Sequence, residues 1–121
     1  MNTQKKRSGF TIVEVLVTVS IIVLLATLAV VAYGTWRSET VRTKLKSDLL
    51  QARTAMEDSR NFGTGYPANL SGIFTPSKGV TISGGSGNGT TYCVGASSTE
   101  AGYQIRYRLT DTTRDPVEGT C

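Results

Sequence analysis

The chain has 121 residues, 13 of them Lys or Arg and 9 Asp or Glu, for a net charge of +4, and it contains no histidine. That length allows one small domain beside any anchoring segment, and the missing histidine removes the commonest general base and metal ligand. The basic excess does not mark a nucleic-acid protein, because it is concentrated in Lys5, Lys6 and Arg7, without which ten basic residues face nine acidic ones.

Residues 1–9 are short, polar and basic, and form an expected cytoplasmic leader. From Phe10 to Tyr33 the chain is apolar apart from Glu14 and a few hydroxyls, with no charge between Val15 and Val31. As a helix these roughly 24 residues reach about 36 Å, enough to cross a hydrocarbon core of about 30 Å. The many β-branched residues disfavour a helix in water, but in a bilayer every backbone group must be satisfied within the segment, so helix is expected over 10–33. The basic residues ahead of it predict a cytoplasmic N-terminus and an exported C-terminal part. In an ordinary secretory signal the cleavage site follows the apolar region. Here the candidate site, Gly9-Phe10, precedes it, so processing retains the helix.

The helix is expected to continue over 34–62 as an amphipathic segment. From Trp36 to Arg60 there is no Pro or Gly, and Val41, Leu45, Leu49, Ala52 and Met56 recur at helical spacing. Its other faces carry Arg42, Lys44, Lys46, Asp48, Arg53, Glu57 and Arg60, with Lys44–Asp48 and Arg53–Glu57 as candidate i,i+4 pairs. Gly34 is the weak point, at a cost of about 1 kcal/mol relative to Ala. Phe62-Gly63 and Gly65-Tyr66-Pro67 end the rod.

Residues 63–121 turn to Gly, Ser and Thr and predict a small β-rich head. Asn69–Ser77 reads as loop with a short turn at Leu70–Phe74, and Val80–Ser83 as a short strand. Thr91–Ala96 and Tyr103–Thr110 read as strands of an antiparallel hairpin joined by Ser97–Gly102. Tyr103, Ile105, Tyr107 and Leu109 alternate with polar residues, and this apolar side is expected to lie on the Val41–Met56 face. Cys93 and Cys121, the two cysteines present, read as a disulfide if the head is exported; closing about thirty residues is worth roughly 3–4 kcal/mol in the chain-entropy model.

The segment Lys5-Lys6-Arg7-Ser8-Gly9-Phe10-Thr11-Ile12-Val13-Glu14 resembles the N-terminal signal of type IV pilins and type II secretion pseudopilins: a basic leader, Gly then Phe, and one acid within an apolar helix. The resemblance implies an α+β, pilin-like fold, with a long N-terminal helix packed on a small antiparallel sheet. It implies cleavage after Gly9 by a membrane prepilin peptidase, N-methylation of Phe10, and assembly through Glu14, paired with the Phe10 ammonium of a neighbouring helix. The expected partners are the membrane, other pilins in a filament, the peptidase and the pilus assembly machinery. The subunit is expected in the inner membrane first and in an extracellular filament afterwards. The proline that many pilins carry where the membrane segment ends is missing here. The pair Cys93 and Cys121 resembles the C-terminal disulfide loop of many pilins.

Thr18, Ser20 and Thr27 read as hydroxyls bonded within their own helix, with contacts between helices as the second reading. Lys78, Arg106, Arg108 and Arg114 are candidate contacts to DNA or another surface, with solubilising charge as the commoner role of such residues. Asp111, Asp115 and Glu118 could supply calcium ligands, though their spacing matches no known loop. Asn69-Leu70-Ser71 and Asn88-Gly89-Thr90 match the glycosylation pattern, whose false-positive rate is high. With no nucleophile–base pair, metal cluster or phosphate loop legible, the expected class is a structural, non-enzymatic subunit without cofactor or metal. The competing readings are a type II secretion pseudopilin and a non-polymerising single-span protein whose head binds DNA or a surface ligand.

Overall fold

The computed structural model describes residues 9–63, 65–86 and 88–121. Helix α1 spans Ile12–Phe62, and four strands follow: β1 Val80–Gly85, β2 Cys93–Ser98, β3 Arg106–Thr110 and β4 Val117–Glu118. The strands form one antiparallel meander in the order β1-β2-β3-β4. The chain divides into two compact units, the first ending at Trp36 and the second comprising Arg37–Cys121.

In the first unit the apolar residues of α1 are all exposed, among them Leu16, Ile22, Leu25, Leu28 and Val31. The hydroxyls turn inward on the helix itself. Thr18 donates to the carbonyls of Glu14 and Val15, Ser20 to Leu16 and Thr27 to Leu24, as expected of hydroxyls bonded within one helix. α1 continues through Gly34, where among the described residues no atom outside the helix's own backbone comes within 4 Å of the missing side chain.

The second unit is the head. Val41, Leu45, Leu49, Ala52 and Met56 are all buried, and they share a core with Tyr66, Leu70, Val80, Tyr92, Val94, Ala96, Tyr107 and Leu109. The predicted apolar face of the helix therefore meets the inward residues of the sheet. Phe62 ends α1, and the Leu70 carbonyl closes the predicted turn by accepting from the amides of Ile73 and Phe74. The β2–β3 hairpin is antiparallel, with Val94 opposite Leu109 and Ala96 opposite Tyr107.

Two strand starts are corrected, and a fourth strand appears that no expectation covered. β3 begins at Arg106, not Tyr103, because Gly102 takes a positive φ of 83° and the amides of Tyr103 and Ile105 are spent in tight turns to Glu100 and Tyr103. β2 begins at Cys93, not Thr91, whose carbonyl accepts from the Ser86 hydroxyl. β4 lies in a two-residue stretch with no alternation to announce it.

Asp48 departs most from the sequence reading. It is only 2% exposed, and its two oxygens accept from the Ser77 amide and hydroxyl, each at 2.8 Å. The expected Lys44–Asp48 pair does not form: Lys44 donates to the Lys78 carbonyl instead. Arg53 likewise donates to the Arg114 carbonyl, while Glu57 accepts from the Tyr66 hydroxyl and lies 4.0 Å from Arg60. Tertiary partners outbid the local pairs because an exposed i,i+4 pair is worth only about 0.3–0.5 kcal/mol. Asp48→Ala leaves the Ser77 donors without a protein acceptor. We expect it to destabilise the head by about 2 kcal/mol, with Asp48→Asn retaining part of the loss-free state, measured by thermal unfolding.

Tyr92 adds a second expectation. Its hydroxyl is buried without a hydrogen-bond partner, and its ring stacks edge-on against Tyr66 at 4.7 Å between centroids. Desolvation pushes its phenol up to about 12. A neutral form favoured in the fold contributes stability that is complete below the unfolded value near 10 and is lost as pH rises toward 12. Tyr92→Phe removes the unpartnered hydroxyl and should stabilise the head by about 1 kcal/mol. It should also flatten the fall in melting temperature between pH 10 and 12.

Candidate functional site

The N-terminal turn of α1 concentrates the residues singled out by the sequence. Gly9 and Phe10 precede the helix in irregular, exposed chain, with Phe10 81% exposed. Among the described residues, no atom apart from its chain neighbours lies within 4 Å of the position a Gly9 side chain would take. The basic residues Lys5, Lys6 and Arg7 lie outside the described residues.

Glu14 is held locally. Its carboxylate accepts from the Thr11 amide at 2.8 Å and the Thr11 hydroxyl at 2.9 Å, and its own amide donates back to that hydroxyl at 3.2 Å. Thr11-Ile12-Val13-Glu14 is thus a capping box, in which two orphan amides of the first turn are satisfied reciprocally. The T-x-x-E spacing of Thr11 and Glu14 is the signal of this motif in the sequence. An acid at this end of α1 also complements the helix dipole.

On the head, Arg106 and Arg108 project from β3 into solvent, alternating with buried Tyr107 and Leu109. The register places Lys78 beyond the start of β1, two strands from Arg106, and Arg114 in the loop beyond the far end of β3. The structure therefore brings Arg106 and Arg108 together on one strand and sets Lys78 and Arg114 at the periphery. Arg37 pairs with Glu100 at 2.7 Å, and Arg42 reaches Glu118 at 2.6 Å and the Tyr107 hydroxyl at 3.0 Å. Neither pair was legible, since each joins residues more than sixty positions apart.

The Cys93–Cys121 disulfide is formed, with Cα atoms 5.9 Å apart, and ties the end of the chain to β2. Of the candidate calcium ligands, Glu118 is engaged by Arg42, and among the described residues no group of three His, Cys, Asp or Glu side chains gathers as a metal site. The Asn69 side-chain carbonyl accepts from the Ser71 amide, and that of Asn88 from the amides of Thr90 and Thr91, so both asparagines hold turns.

α1 is long and apolar enough to cross a membrane. Residues 4–30, from the leader into this helix, match the family described as the prokaryotic N-terminal methylation motif. No curated protein and no solved structure matches the chain.

Proposed function

From the N-terminal methylation signature that this chain shares with type IV prepilins and pseudopilins, we propose that it is a pilin, cleaved after Gly9, methylated on Phe10 and polymerised through α1 into a type IV pilus. A structural subunit of this general kind needs no catalytic centre. One observation carries the reading: the apolar residues of α1, within the signature and just beyond it, are exposed throughout the first unit. A continuous apolar surface of that extent is not stable in water and demands either lipid or other helices. A membrane-anchored precursor meets the first demand. A bundle of sister helices in a filament meets the second, with Glu14 placed to face the Phe10 ammonium of a neighbour.

The disulfide that closes the C-terminal segment, and the engagement of Glu118 by Arg42, favour a pilin over a calcium-dependent pseudopilin. N-terminal sequencing and intact mass of fibres sheared from cells test the proposal. The expected material begins with methylated Phe10 and carries the disulfide. Fibres absent from the sheared fraction, or a cell-bound chain that keeps Lys5, Lys6 and Arg7, would replace this reading with that of a non-polymerising single-span protein.

A further inference from the structure

The outward face of the head sheet carries an uneven set of residues. The register aligns Thr81, Ser97 and Arg106 in one row across the strands, and Ser83, Gly95, Arg108 and Val117 in the next. No acidic side chain occurs in either row. Among the described residues the guanidinium groups of Arg106 and Arg108 have no hydrogen-bond or ion-pair partner, whereas Arg37, Arg42, Arg53 and Arg60 all do. Guanidinium groups left free beside hydroxyls, with no acidic side chain in either row, form a donor-rich surface that favours an oxyanion.

That surface is also concave. Ser83, Gly95, Ser97, Arg106, Thr120 and Cys121 line a notch of about 230 Å³. The disulfide to Cys93 holds Cys121 in place as one wall. Gly95 forms the floor, and its backbone does not require glycine, since its φ is not positive. A Cβ there would lie 3.5 Å from the Ser83 hydroxyl oxygen and 3.9 Å from the Cys121 sulfur, in ordinary contact. The missing side chain therefore leaves space that alanine would occupy without forcing the strands apart.

We propose that this notch binds an anionic sugar unit, with Arg106 on a sulfate, phosphate or carboxylate group and Ser83, Ser97 and Thr120 on the sugar hydroxyls. The inference belongs to the head alone and does not rest on filament assembly. The volume is several times the ~30 Å³ that one water molecule occupies in the liquid, so a bare ion leaves most of it unfilled. Duplex DNA fits less well. Two neighbouring cations neutralise few phosphates, and among the described residues that line the notch the one aromatic, Tyr107, is only 5% exposed and offers no face to stack a base.

The full chain in neutral-detergent micelles, titrated with dextran sulfate, neutral dextran, inorganic sulfate and a short DNA duplex, tests this. Dextran sulfate is expected to bind most tightly and neutral dextran not measurably. Arg106→Gln should weaken dextran sulfate binding roughly tenfold, the loss typical of a charge-assisted contact. Gly95→Ala should weaken it severalfold while leaving the circular dichroism and the disulfide intact. Lys78→Gln and Arg114→Gln should match the wild type. Equal losses from all three charge substitutions would reduce the effect to general charge attraction and overturn the proposal. So would unchanged binding by Arg106→Gln, inorganic sulfate binding as tightly per anion as the sugar ester, or the duplex binding more tightly than dextran sulfate at equal charge concentration.

Discussion

Cells whose only copy carries Glu14→Gln are expected to hold the subunit in the membrane and to make no filaments. The substitution separates the two roles open to this side chain. In the structure Glu14 caps its own helix through Thr11. Glutamine serves at that position of a capping box as well, since its side-chain carbonyl still accepts from the Thr11 amide. The charge, however, is lost. An acid in a bilayer helix costs up to about 2.5–3.5 kcal/mol on insertion scales, less toward the interface. Local capping offsets part of that cost, and under the proposed assembly a neighbour's Phe10 ammonium offsets the rest once helices pack in a low-dielectric core. Thr11→Val is the complementary change. It removes the cap, at about 1 kcal/mol of helix-end stability, and keeps the charge, so filaments should persist at reduced yield. Pelleted extracellular fibres measure both, with the membrane fraction as control for subunit level. Filaments from Glu14→Gln together with none from Thr11→Val would make Glu14 a helix cap and remove the charge-pairing account of assembly.

Much of the architecture was legible because it rests on periodic signals. The spacing of Val41, Leu45, Leu49, Ala52 and Met56 named the apolar residues of the buried stripe of the head, since a residue that recurs every three or four positions on a helix has one face to bury. The alternation around Tyr107 and Leu109 named the inner face of β3 for the same reason, with period two. What escaped was non-periodic. Asp48 sits among charged neighbours in the chain and looks solvated, yet the segment ending at Ser77 folds over it and offers two donors. Long-range pairs such as Arg37–Glu100 depend on where strands are brought by the whole fold. β4 is too short to have a period at all, and it exists because β3 presents an edge on which Val117 and Glu118 can pair. The free guanidinium groups of Arg106 and Arg108 could be guessed as outward from alternation, but their lack of acidic company becomes visible only when the register sets the strands side by side.

Replacing both cysteines with serine should lower the melting temperature of the head by at least about 12 °C. The bridge closes a sequence separation of 28, which corresponds to roughly 3–4 kcal/mol in the chain-entropy model. For a domain of this size each kcal/mol is worth about 4–8 °C. Little else anchors the end of the chain. β4 contributes two pairings, the Gly119 amide adds one bond to the Arg106 carbonyl at 3.1 Å, and Val117 is 46% exposed. The Arg42–Glu118 pair is largely solvent-exposed and adds no more than about 1 kcal/mol. With the bridge gone, these contacts cannot hold Gly119–Cys121 over the sheet, and the notch on the outward face loses a wall. The double serine variant should therefore lose dextran sulfate binding even at temperatures where its circular dichroism shows the head still folded. A melting temperature within about 2 °C of the wild type would mean that β4 pairing alone fixes the chain end. In that case the cysteines would contribute resistance to proteolysis rather than thermodynamic stability, and the notch should keep its affinity in the reduced chain.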